Sequence, residues 1–99
     1  MLRVITKQVG NSVRLELHGL VGGDWVPLLE EHWRTIVRDL PHAQVTAVLS
    51  EVDFIDIEGE RLIQRMAENG VRFIATGCMN RYVVEKLKAH TGETKGAHS

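Results

Sequence analysis

Several residue types are scarce, and each shortage closes off a class of protein. A single cysteine, Cys78, excludes an internal disulfide framework and a CxxC redox pair. A reducing, cytoplasmic setting is therefore expected. Neither charge dominates: the formal net charge is −1. The chain has no overall attraction for nucleic acid or for an anionic membrane, and neither is expected as a partner. No apolar run approaches the roughly 18 residues that cross a bilayer, so the chain is not expected to be membrane-inserted. Met1-Leu2-Arg3-Val4 lacks the charged and apolar regions of a secretion signal and reads as the start of a strand. Prolines number only two; Pro27 suits the first turn of a helix and Pro41 ends one. Internal repeats are absent.

What remains is ordinary for one small domain. The chain has 99 residues, 43% hydrophobic and 25% charged, enough for one modest core without disulfides or metal. Leu2 to Gln8 reads as a strand. Val13, Leu15 and Leu17 alternate with Arg14, Glu16 and His18, the period of a half-buried strand, and Gly10-Asn11 between the two runs marks a hairpin. Gly19-Leu20-Val21-Gly22-Gly23 reads as a loop, with Asp24 as a helix cap. From Trp25 the apolar positions Trp25, Leu28, Leu29, Trp33 (or His32), Ile36, Val37 and Leu40 recur at helical spacing. Val45 to Ser50 suits a central strand buried on both faces. A second helix runs from Ile57 or Glu58 to Asn69, with Leu62, Ile63, Met66 and Ala67 inward and Asn69-Gly70 closing it. Val71 to Thr76 is a further strand. Tyr82, Val83, Val84 and Leu87 give a third helix, stopped by Thr91-Gly92. The order is β-β-α-β-α-β-α. The fold class is α/β, a small mixed four-stranded sheet with helices packed on it. Residues 1–92 form a single domain in this reading, and the polar residues 93–99 a flexible tail.

The chemistry concentrates where the central strand meets the second helix. Asp53, Asp56, Glu58 and Glu60 surround Phe54, Ile55 and Ile57. A cation site fails on spacing. An EF-hand register would put Phe54 at its first ligand position and Arg65 at its last, where a carboxylate is required. No metal and no cofactor are expected. A glycosidase-like carboxylate pair lacks an aromatic platform and a cleft. The glycines at 19, 22 and 23 match neither a Walker A loop nor a dinucleotide fingerprint. Asp56 can cap the helix, with Glu58 and Glu60 complementing its dipole. The five histidines show no ligand spacing, and Cys78 reads as a small apolar filler. Trp25 and Trp33 share a helix face, either as core or as a partner-binding patch. No catalytic residues are assigned.

The strand Val45-Thr46-Ala47-Val48-Leu49-Ser50, the turn Val52-Asp53-Phe54-Ile55-Asp56, Gly59 and the helix carrying Leu62 together resemble the STAS family of sulfate transporters and anti-sigma factor antagonists. Phe73-Ile74-Ala75-Thr76-Gly77 and Thr91-Gly92 also look like later parts of that pattern. The resemblance covers roughly residues 1–92. It implies a non-enzymatic regulatory module that binds a protein partner, an anti-sigma factor or kinase-like protein. The partner-binding residues it implies are Asp53, Phe54, Asp56, Ile57, Glu58, Gly59 and Arg61. A second implied role is as an accessory to an ATP-driven lipid transporter, contacting its ATPase subunits.

Two departures carry consequences. The family places a phosphorylatable serine at the start of this helix, whereas Ile57 and Glu58 stand between Asp56 and Gly59. No hydroxyl is there to accept phosphate, and Glu58 supplies a permanent negative charge instead. The family also continues with another strand and helix. A four-stranded sheet is expected here, with one edge exposed or paired with a second copy in a homodimer.

Overall fold

The computed structural model describes residues 1–75. The expected third helix, Cys78, Thr91-Gly92 and the 93–99 tail lie outside the described residues. Within them the order is β1 (Leu2–Val9), β2 (Ser12–Val21), α1 (Trp25–Asp39), β3 (Gln44–Ile55), α2 (Ile57–Glu68) and β4 (Arg72–Ile74). The four strands form one sheet in the order β1-β2-β3-β4. β1 and β2 are an antiparallel hairpin turned at Gly10-Asn11, and Val9 faces Ser12 across the turn. β2, β3 and β4 run parallel, as helical crossovers require. The mixed α/β sheet read from the sequence is the observed one.

One face of the sheet carries the core. Val13, Leu15 and Leu17 of β2 stand beside Val45, Ala47 and Leu49 of β3, all buried. Val26, Leu29, Trp33 and Ile36 of α1 and Leu62, Ile63 and Met66 of α2 close over them. Both described helices lie on this face. The opposite face of β3 (Thr46, Val48, Ser50) is half-buried. The two crossovers from β2 to β3 and from β3 to β4 share a hand, which puts their helices on one side.

The buried stripe of α1 is rotated from the expected one. Val26 is buried, while Leu28 is 57% and Val37 45% exposed. A stripe through positions 26, 29, 33 and 36 keeps the 3.6-residue period, and Leu28 and Val37 fall one step to its side. Asp24 precedes α1 with helical dihedrals and makes no side-chain cap. α2 ends as expected at Asn69, with Gly70 at a positive φ of 97°.

The largest difference lies in the strands that lead to α2. β2 continues to Val21 through the glycine-containing segment expected to be a loop, and β3 continues to Ile55. Pairing persists because β3 carries two bulges. Leu49 and Ser50 together oppose Leu17, and Asp53 is an extra residue between Val52 (opposite Gly19) and Phe54 (opposite Leu20). Each bulge breaks the alternation that identifies a strand in sequence.

Candidate functional site

The expected acidic loop is thus the bulged end of a strand followed by a single linking residue, Asp56. α2 begins immediately afterwards. The bulge at Asp53 lets both Asp53 and Phe54 face outward, where strict alternation would have turned one of them in. Val52 before them is buried and Ile55 after them half-buried.

Asp56 is the hinge-pin of this junction. Its extended backbone (ψ −178°) suits an N-cap, and its Oδ1 accepts from the Gly59 N–H at 2.8 Å. Its Oδ2 accepts from the Gly23 N–H, also at 2.8 Å. One carboxylate therefore ties the start of α2 to the β2–α1 connection, 33 residues away in sequence. The backbone adds a third tie, Asp56 N–H to the Val21 carbonyl at 3.1 Å. The donated hydrogen bonds from Gly59 and then Gly23 hold the Asp56 carboxyl below its usual pKa.

Two glycines make this approach feasible. A Cβ at Gly59 would collide with the Val21 carbonyl oxygen, a backbone atom that cannot swing aside. A Cβ at Gly22 would run into the Asp56 carboxylate. Gly59 in a helix costs conformational entropy, and the close contact with β2 explains why it is there. Gly22 and Gly23 were legible in sequence only as a turn. Their partnership with Asp56 is a tertiary contact, and the glycine pair was the single sequence signal that could have suggested it.

The remaining expected residues face outward. Phe54 is 52% and Ile57 64% exposed, and Asp53, Glu58 and Arg61 are exposed beside them. Arg61 donates to Glu58 through Nη1–Oε2 at 3.0 Å, one helical turn along. The structure therefore divides the seven expected residues. Asp56 and Gly59 turn inward and hold the junction, whereas Asp53, Phe54, Ile57, Glu58 and Arg61 are open to contact.

Neither of the crevices bordered by Glu30 and Arg34 includes the carboxylates of this junction. Nor do the described residues bring together three or more His, Cys, Asp or Glu placed to hold a metal ion. None of the described helices is long and apolar enough to cross a membrane.

No protein-family model and no curated protein matches the chain. Solved structures do. An anti-sigma factor antagonist from Mycobacterium paratuberculosis matches 97% of this chain and 82% of its own, with a TM-score of 0.71 and 19% identity. The unphosphorylated anti-sigma factor antagonist SpoIIAA matches 84% of this chain and 82% of its own, with a TM-score of 0.62 and 20% identity. An uncharacterized protein with a SpoIIAA-like fold from Shewanella loihica matches 90% of this chain and 79% of its own, at TM-score 0.61 and 7% identity. The chain is accordingly a STAS-like domain in fold, built on the same plan as the anti-sigma factor antagonists.

Proposed function

We propose that the protein is a non-enzymatic regulatory module that binds a protein partner through Asp53, Phe54, Ile57, Glu58 and Arg61. The observation that carries this reading is the pair of large apolar side chains, Phe54 and Ile57, held outward at the junction and ringed by charge. A solvent-facing phenylalanine and isoleucine flanking a helix start have no role in the core, and an apolar centre with a polar rim is the composition of a protein interface. The fold shared with anti-sigma factor antagonists supports a partner of that signalling class.

The interaction works without phosphate at this junction. Ile57 and Glu58 lack a hydroxyl, so a partner kinase has no acceptor between Ile55 and Gly59. Glu58 offers one charge and two acceptor oxygens where a phosphoserine would bring about −1.5 to −2 and three. Arg61 already shares one of those oxygens, which softens the negative field a partner meets. Asp56 and Gly59 contribute by fixing the shape of the surface rather than by touching the partner.

The test is affinity capture from the native host, repeated with Glu58→Arg and with Phe54→Ser. A partner retained by the native chain and lost from both variants supports the reading. Equal recovery of the same proteins by all three would remove this junction as the contact site.

A further inference from the structure

We propose that the crevice between α1 and α2 binds a small organic anion, a carboxylate or phosphate carried on a flat apolar body. The crevice has a volume of about 430 Å³ and is lined by Trp33, Arg34, Val37 and Arg38 of α1 with Arg65 of α2, Glu30 lying among them. That volume suits a small molecule. Around it stand three guanidinium groups and the Glu30 carboxylate, with Asp39 beside Arg38, in a chain whose formal net charge is −1.

The arginines are arranged, not merely numerous. Glu30 accepts from Arg34 at 2.8 Å through one oxygen and from Arg65 at 3.2 Å through the other. This carboxylate, its side chain only 21% exposed, therefore steadies a guanidinium from each helix. Arg38 adds a third beside them, its Nε 3.3 Å from the neighbouring Asp39. Guanidinium forks match carboxylate and phosphate oxygens in pairs. The face of Trp33 and the side of Val37 supply an apolar wall for the rest of the ligand.

A second observation points to a ligand. Trp33 is 8% exposed, and its indole Nε1 is buried with no hydrogen-bond partner. Buried indole N–H groups ordinarily find an acceptor. Placing arginines near the C-terminal ends of two helices complements their dipoles, but that does nothing for the indole. Trp33 lines the crevice, and an anion that enters by parting the long arginine side chains is the acceptor proposed for this N–H. The crevice lies beside Arg65, about 10 Å along α2 from Glu58 at a rise of ~1.5 Å per residue. None of the residues proposed to contact a partner lines it.

The experiment follows the indole N–H signals by ¹H–¹⁵N NMR on the full chain, with Trp25→Phe assigning the Trp33 peak. The probes are 2-naphthoate, 2-naphthyl phosphate, 2-naphthylmethanol and inorganic phosphate. Saturable movement of the Trp33 peak is expected with 2-naphthoate or 2-naphthyl phosphate, and which of the two binds tighter identifies the head group. The double variant Arg34→Gln/Arg38→Gln, altered only at exposed positions, is expected to weaken that binding by about tenfold or more. A Trp33 peak that stays in place with both aromatic anions at millimolar concentration overturns the proposal. So does an equal response to neutral 2-naphthylmethanol, an equal response to inorganic phosphate alone, or unchanged affinity in the double variant.

Discussion

Asp56 and Gly59 on one side of the α2 N-terminus, and Phe54, Ile57 and Glu58 on the other, are interleaved in sequence yet meet opposite surroundings. The first pair touches β2 and the β2–α1 connection through the Gly23 N–H donated to the Asp56 carboxylate, the Asp56 N–H donated to the Val21 carbonyl, and a contact too close for any Cβ. The second set touches little, and its apolar members are more than half exposed. A short motif can therefore be rigid and presentable at once. The inward residues commit their polar groups to the fold, which leaves the outward residues open to solvent. Ile57 and Glu58 lie on the side that the fold does not constrain.

Substitutions should separate the two sides. The greatest effect is expected from Gly59→Val. Its side chain must displace the Val21 carbonyl or push α2 off the sheet, at a cost of about 3 kcal/mol, measured by urea denaturation. Asp56→Ala comes next. It removes the cap and the tie to Gly23 together, and should lower the thermal midpoint by several degrees, with Asp56→Asn lowering it less. Ile57→Ser or Glu58→Ala should change stability by no more than about 0.5 kcal/mol, as for other exposed positions. If Ile57→Ser destabilises as much as Asp56→Ala, the division between the sides fails.

Acid sharpens the same comparison. The Asp56 pKa is lower in the folded chain than in the unfolded one. The unfolded state then binds the proton first, so the stabilisation is complete above the unfolded pKa of about 4 and is lost as pH falls through the folded value. Stability of the native chain should fall on acidification below about pH 4, and the slope should be shallower in Asp56→Asn. Glu16 adds a slope of the same sign. Desolvation opposes its ionisation, but Lys7 and Arg14 prevail and lower its pKa. Glu16→Gln isolates the Asp56 part.

Much of this was readable in the residues. Alternation in Val13-Leu15-Leu17 and the helical spacing of Leu62, Ile63 and Met66 placed the core correctly, because their periods are set by backbone geometry alone. Asp56 as a cap was equally local, since its acceptor reaches three residues ahead. The extension of β3 to Ile55 was not readable. It depends on the Ser50 and Asp53 bulges, which shift register without a residue type that announces them. Nor was the rotation of the α1 stripe, since Leu28 and Val37 are as apolar as the buried Val26 and only the tertiary packing of the helix decides among them. The Gly22–Gly23 tie to Asp56 and the unpartnered Trp33 indole both arise from tertiary contacts between distant segments.

The most direct test of the account is the double variant Phe54→Ser/Ile57→Ser, compared with the native chain for thermal midpoint and for binding of the captured partner. The account predicts a midpoint within a few degrees of the native value and a loss of affinity of at least about tenfold, roughly 1.4 kcal/mol. Unchanged affinity in a folded double variant would contradict it.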